Sequence, residues 1–580
     1  VALEASDSIY LTETDAELRL VLAHTYNGNI RITVRESADL DEHLLLIDSG
    51  SARFAEDAST LPGNQPDAER VIRQGMVYAE KGSVELRVGD NVFTDENAAI
   101  VAALGIVLRG DHLNAEAGRG TNMILRGRLI AGAKGTFGSE SGAGTMGVPV
   151  RDTAAPTHLF EIFGNTDVDT IQFGDPTGLG GGTYDGTNAA NPATASDGYI
   201  LIGSKVRVYG SADNTVLDDG IDDDGVDEDF NNDGEDRFRV YYLQDTLTRT
   251  APPSAAVVAQ HTLTLDGQAG SDTYYIHTTG SNSAIAPRNY IVNILDKGHE
   301  IDGVDEAFIY GYDSGVNGVV GGVKPVDDIF LLRAGQEIPG EVGEDRPGYV
   351  AMLHGQVNTY EDVVQNNESS TEVQRINYDS GLNGRLVIEG RGGNDAFFSD
   401  DATVITTLDG GEGADSFQIG QVFGTNRNTV DGNLLSEDVF ANLVATTRGF
   451  LSAGTTAPMV ALGGTGNDEF RVYSNQAALR LEGDDDNDLF IVRAFALAAT
   501  VDFDWNNDGV KNKADLEAGV AVLKALDAIK EANPGFNIGQ VVGALPALGN
   551  AATLAAWRAE LTAKLTALGA PPAGVSPYDV

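Results

Sequence analysis

GGEGADSFQI, residues 410–419, and GGTGNDEFRV, residues 463–472, are two copies of one unit. Each opens with a glycine-rich turn, where positive φ and close backbone approach are sterically free. Each then places one aspartate at the end of the turn and passes into alternating polar and apolar residues, the signature of a half-buried strand. Looser copies end in Asp272 (GQAGSDTYYI), Asp395 (GRGGNDAFF), Asp488 (GDDDNDLFIV) and Asp169 (GNTDVDTIQF). Asp395 and Asp415 are 20 residues apart, and so are Asp468 and Asp488. An ordinary β-turn at a strand junction accounts for any one copy. Recurrence, with an apolar residue close after each aspartate, argues for turns stacked along an axis.

Outward from these units the chain keeps the same rhythm. Short β-type runs recur: ELRLVLAH (17–24), NIRITVRE (29–36), SVELRV (83–88), NMILRGRLIAG (122–132), DRFRVYYL (236–243), NYIVNILD (289–296) and RLVIEG (385–390). Gly, Asn and Asp punctuate them as turn formers. The expected fold is mainly β: an irregular parallel β-helix or β-roll-like solenoid with calcium-binding turns, plus a small C-terminal α-helical module. Residues 1–250 read as an irregular β-rich region with a loop insertion near 134–200. Residues 251–500 read as the motif-bearing solenoid, and 501–580 as the helical appendix.

The turn-plus-aspartate unit resembles the calcium-binding nonapeptide repeat of RTX proteins, GGxGxDxUx with U apolar. The match is full at 410–419 and 463–472 and partial at 267–276, 390–398 and 483–492. That family sets a motif every nine residues, whereas here the pairs are 20 apart with long interruptions. The resemblance implies a secreted or bacterial cell-surface protein whose repeats fold on Ca2+, with Asp169, Asp272, Asp395, Asp415, Asp468 and Asp488 as ligands.

Three further segments have ligand-loop spacing. DDGIDDDGVDEDFNNDGEDRF, 218–238, offers Asp222, Asp224 and Asp227 as one cage. It offers Asp229, Asn231 and Asp233 as another, spaced like the first half of an EF-hand loop. A solvated acidic loop is the plainer alternative. In DKGHEIDGVDEAF, 296–308, the candidates are Asp296, Asp302 and Asp305, against a simple surface turn. DWNNDGVKNKAD, 504–515, places Asp504, Asn506 and Asp508 at loop positions 1, 3 and 5, with Gly509 at the sharp bend. Val510 supplies a carbonyl, Asn512 follows, and Asp515 closes the loop. The closing aspartate resembles a dockerin loop, of which dockerins carry two and this chain one. Helices are expected over 514–532 and from a cap at Asn550 to Gly569, the second with Leu554, Trp557, Leu561, Leu565 and Leu568 on one face.

The 580 residues hold 38 Lys+Arg against 87 Asp+Glu, a net charge of −49. Such a surface repels phosphate backbones, which argues against nucleic acid as a partner. No apolar run is long enough to cross a bilayer as a helix. Zero cysteines exclude disulfides, zinc thiolates and cysteine nucleophiles. VALEASDSIYL at the start lacks the basic and apolar regions of a signal peptide, which leaves a processed or excised piece of a larger protein as one reading. HExxH and GxSxG motifs are absent; GSESG at 138–142 has Glu in the centre. The expected function is that of a non-enzymatic, calcium-stabilised extracellular structural or adhesive protein, in a surface layer, sheath or adhesin. Calcium is its cofactor, with self-association into a lattice or filament, or contact with a surface glycan, as its partnerships. The alternative is a carbohydrate-active β-helix enzyme, a polysaccharide lyase, hydrolase or epimerase, or a glycan-binding module.

Overall fold

The computed structural model describes residues 1–36, 42–47, 53–54, 70–71, 75–95, 98–112, 120–134, 150–151, 159–164, 167–174, 200–202, 204–210, 234–241, 243–245, 262–268, 270–281, 290–296, 303–313, 325–335, 338, 347–353, 374–427, 439 and 443–495. The chain is mainly β and its long sheets are built largely from parallel strands. Among the described residues there is no helix, so none long and apolar enough to cross a membrane. The acidic stretch up to Asp233, Asp302, and the 504–515 loop with its two expected helices lie outside the described residues.

Three sheets of 7, 15 and 12 strands, here A, B and C, take the strands in rotation. Ala2–Ala5 lies in A, Ile9–Glu13 in B and Leu18–Leu20 in C. The chain then returns to A with Leu22–Thr25, pairing Ala2 with Leu22, and to B with Ile30–Val34, pairing Ile9 with Ile30. This is the winding of a parallel β-helix. Each new coil meets the last in register, so side chains of like parity form files along the axis.

Several runs that read as single strands are two strands on different sheets. ELRLVLAH divides at Val21 into Leu18–Leu20 in C and Leu22–Thr25 in A. NMILRGRLIAG divides at Arg126 into Asn122–Leu125 and Gly127–Ala131, and DRFRVYYL divides at residue 242 into Arg237–Tyr241 and Leu243–Asp245. A one-residue corner spends no glycine-rich turn, so the apolar pattern runs through it unbroken. Only Gly127, at φ +80°, marks one of these corners.

Sheet A ends at Leu243–Asp245, and beyond it the described strands alternate between B and C, apart from a small three-stranded sheet of Val422–Phe423, Gly449–Leu451 and Val444–Thr446. One irregularity interrupts B. Ile329–Ala334, Gly348–Met352 and Gln374–Tyr378 form an antiparallel meander, entering B between Tyr290–Ile294 and Ala396–Ser399.

The inward files make the core. Ile32, Leu86, Leu108, Ile162, Val208 and Leu265 are paired coil by coil in sheet B, and each is fully buried. Each such burial is worth ~1.5–3 kcal/mol. Further along B, from the meander onward, a different inward file is aromatic. Phe330, Phe397, Phe417, Phe470 and Phe490 stack with centroids 5.1, 4.8, 4.8 and 4.7 Å apart. Residues Val1–Leu443 and Phe450–Ala494 form one compact unit. The second unit comprises Val444–Gly449 and Phe495–Val580, of which 444–449 and Phe495 are described.

Candidate functional site

The turns singled out in the sequence share one backbone course. In 410–415 and 463–468 the second and fourth residues have positive φ: Gly411 +93° and Gly413 +141°, Gly464 +95° and Gly466 +131°. The looser copy 483–488 puts Asp484 (+64°) and Asp486 (+79°) in these places, a conformation that disfavours side chains. The sixth residue, always aspartate, is the last before the next strand.

These aspartates form two files at two different corners. At the corner entering sheet C, the Thr121 N–H donates to Asp169 Oδ1 (2.6 Å), Asp169 N–H to Asp236 Oδ1 (2.7 Å), Asp236 N–H to Asp272 Oδ1 (2.7 Å) and Asp272 N–H to Asp305 Oδ1 (2.9 Å). Asp305 N–H donates to Asn383 Oδ1 at 3.1 Å. At the corner entering sheet B, Ser281 N–H donates to Asp328 Oδ1 (2.7 Å), Asp328 N–H to Asp395 (2.6 Å), Asp395 N–H to Asp415 (2.6 Å), Asp415 N–H to Asp468 (2.7 Å) and Asp468 N–H to Asp488 (3.1 Å). Each carboxylate thus caps the corner of the preceding coil.

The second oxygen has a different fate. Asp328 Oδ2 accepts the N–H of Tyr312 at 2.6 Å, so both of its oxygens are satisfied. The Oδ2 atoms of Asp395, Asp415 and Asp468 are buried and accept no hydrogen bond, and the three residues are 0–1% exposed. Asp415 Oδ2 lies against the α-carbon of Gly410, where a Cβ would run into it, and the same place is 2.6 Å from the carbonyl oxygen of Gly463 on the next coil. Gly390 stands likewise against Asp395 Oδ2 and the Gly410 carbonyl, and Gly463 against Asp468 Oδ2 and the Gly483 carbonyl. The first glycine of each motif is therefore required by space: it makes room for two converging oxygens.

Burial, then the neighbouring Asp328 and Asp415 carboxylates, pushes the Asp395 carboxyl up to about 10. Burial, then Asp468 and Asp409, lifts Asp415 to about 7, and burial followed by Asp488, Asp484 and Asp486 raises Asp468. An ionised oxygen in such a place is costly without a proton or a cation. Carboxylate and carbonyl oxygens facing one another are the donor set of a hard cation such as calcium.

In the other file three carboxylates meet. Asp272, Asp296 and Asp305 each bring an oxygen within 4.8 Å of the others. The Tyr274 phenol accepts the Gly267 N–H at 2.8 Å and donates to Asp296 Oδ2 at 3.1 Å. Burial, then Asp305, Asp272 and Asp266, holds the Asp296 carboxyl well above the usual range. Asp296 and Asp305, expected from one loop, are thus brought together with Asp272, expected from another.

Sequence reasoning missed Asp236 and Asp328. In the recognised motifs glycine precedes aspartate by five residues, as in Gly410 and Asp415. The equivalent pairs here are Gly210 with Asp236 and Gly311 with Asp328, separated by 236 − 210 = 26 and 328 − 311 = 17 residues. A remaining signal was an aromatic residue two places after the aspartate, Phe238 and Phe330, as Phe417 follows Asp415.

No family model, no curated protein and no solved structure matches this chain.

Proposed function

We propose that this chain is a calcium-stabilised β-solenoid serving as an extracellular structural or adhesive surface element, in which bound Ca2+ completes the aspartate corners. The observation that carries this reading is the set of buried, unbonded Oδ2 atoms of Asp395, Asp415 and Asp468, each facing a glycine carbonyl of the next coil. The residues that would hold the ion are these aspartates with the carbonyls of Gly410, Gly463 and Gly483, and the Asp272, Asp296 and Asp305 group in the other file. Calcium would supply positive charge where the coils otherwise bring acid against acid.

The chain's own groups do the rest. The Oδ1 atoms lock successive coils through backbone N–H groups, and the corner glycines leave room for the inner oxygens. The phenyl file from Phe330 to Phe490 fixes the coil spacing. A ligand that binds only the folded form adds ~1.4 kcal/mol per site at tenfold excess over Kd. With many sites, folding becomes conditional on the millimolar calcium typical of extracellular modules. The −49 charge is consistent with a chain kept loose until such a cation is met.

Thermal unfolding followed by far-ultraviolet circular dichroism, with calcium and then with a chelator, tests the reading. A large drop in Tm on chelation, reversed by calcium and not by the same ionic strength of sodium, is expected. An unchanged Tm overturns it.

A further inference from the structure

The outer face of sheet C carries a feature that the aspartate files do not use. Two files of aromatic side chains run side by side across three coils. In one, Tyr275 and Phe308 stack with centroids 5.3 Å apart, Arg239 lying over the tyrosine at 5.7 Å and Arg385 over the phenylalanine at 5.7 Å. In the other, Tyr241, His277 and Tyr310 stack at 4.4 and 4.5 Å, and Arg391 lies over Tyr310 at 4.6 Å. The files sit two residues apart on each strand, hence ~7 Å apart, and Arg237 and Arg385 stand two residues further out on the Tyr275–Phe308 side. All the rings are half-buried, and Arg237 at one end is exposed.

The stacking decides what this face can bind. From Tyr275 to Phe308 and from His277 to Tyr310 the ring faces are spent on each other and on guanidinium groups, so the flat apolar side of a neutral sugar finds no ring face to lie on there. What remains towards solvent is ring edges, which carry the positive part of the aromatic quadrupole. To these are added guanidinium N–H groups, which keep their in-plane donors when stacked on a ring. Arg391 donates to His277 Nδ1 at 3.1 Å, which puts the proton of the neutral imidazole on Nε2. Burial, with Arg391 and Arg239 nearby, holds His277 down at about 3, so it stays in that neutral donor form. Among the described residues, Glu306 pairs with Arg385 at 2.8 Å, Glu389 closes the far end one coil beyond Tyr310, and Asp313 is near enough to Arg391 to feel its charge. On a chain of net charge −49 this is a donor-rich strip with arginines at both ends, about three coil spacings, or ~14 Å, apart.

We propose that the strip on sheet C that carries the Tyr275–Phe308 and Tyr241–His277–Tyr310 files and their flanking arginines binds an acidic polysaccharide whose carboxylates lie a few sugars apart, with Arg237, Arg239, Arg385 and Arg391 taking the carboxylates. Sparse charge is the complement of widely set arginines. A densely charged polyphosphate would meet the repulsion of the whole chain before it gained these few contacts. Arg391 belongs to the 390–395 corner, and the other three arginines lie outside the aspartate turns.

Partly de-esterified pectin immobilised on a sensor, with fully methyl-esterified pectin as the uncharged form of the same backbone, provides the probe, at fixed calcium throughout. Binding to the first and not the second is expected, weakening as sodium chloride is raised. Arg239→Gln with Arg385→Gln and Arg391→Gln should abolish it, and Arg237→Glu alone, which changes only an exposed side chain, should weaken it about tenfold. Equal retention on both pectins overturns the proposal, as does no retention on either. So does retention by the charged pectin that is unaffected by Arg237→Glu and by whichever arginine variants melt like the parent, the result expected if calcium alone bridged the two acids.

Discussion

The coils at the start of the solenoid and those near its end reach the same winding by different means. From Ala2 to Ala131 three sheets close each coil around aliphatic files, and the corners are held by short polar contacts such as Ser83 N–H to Asn29 Oδ1 at 2.9 Å. From Arg385 to Val492 two sheets face each other across stacked phenyl rings, and aspartates cap the corners. Losing the third sheet removes apolar area from each coil. The difference is made up by wide aromatic rings inside and by charge at the corner. The first half is held chiefly by burial, which needs no ion. The second holds acids that burial alone disfavours.

The most severe way to break this comparison is to remove calcium. Hydrogen exchange followed by mass spectrometry should show strands 385–492 losing protection in chelator while Ile30–Val34, Val84–Val88 and Ile106–Arg109 keep theirs. Uniform loss, or none, would erase the distinction. Next in size is Phe417→Ala, which opens a hole in the ring stack and should cost ~3–5 kcal/mol by denaturant titration. Leu86→Ala should cost ~2–5 kcal/mol with no dependence on calcium.

Asp415→Asn should change sign with conditions. The amide oxygen can still accept the Asp395 N–H, but the anionic inner oxygen is gone. With calcium the variant should melt below the parent; in chelator at pH 8 it should melt at or above it. Acid acts in the same direction as the amide. The Asp415 and Asp395 carboxyls are raised to about 7 and about 10 in the fold, above the usual ~3.9. In calcium-free protein their contribution is complete below about pH 4 and is lost as pH rises through about 7 and on towards about 10. Melts at pH 5 and pH 8 in chelator should therefore differ, the lower pH being the more stable, and calcium should shrink the gap. The smallest effect belongs to the surface. Breaking the pair of Arg471 with Glu469 (2.7 Å), its side chains 43% and 29% exposed, by Arg471→Gln should change stability by ~1 kcal/mol or less.

Much of this was legible. Alternation marked the strands, and the glycine-to-aspartate spacing found Asp169, Asp272, Asp395, Asp415, Asp468 and Asp488. What escaped did so for reasons of geometry. Val21 and Arg126 turn the chain onto a new sheet within one residue, and a single extended residue leaves no mark in composition. Asp236 and Asp328 close corners whose first glycines lie beyond long intervening segments, so no local window contains both partners. The meeting of Asp272 with Asp296 and Asp305 is set by coil register, which only the fold supplies. The sheet C aromatic strip was invisible for the same reason: Tyr241, His277 and Tyr310 are separated by about a coil each and become neighbours only on winding.

The corner that spans four residues between Gly410 and Asp415 spans twenty-five between Gly210 and Asp236 and sixteen between Gly311 and Asp328. The flanking strands stay in register in every case. Chain-closure entropy grows by only about 0.6 kcal/mol per doubling of length, so closing twenty-five residues instead of four costs ~1.6 kcal/mol more. The glycine and the aspartate act as two posts of a gate, with the same strand register kept at each spacing between them. A foreign peptide spliced between such posts would be held at one fixed coil, with the strands of the adjacent coils about 4.8 Å above and below.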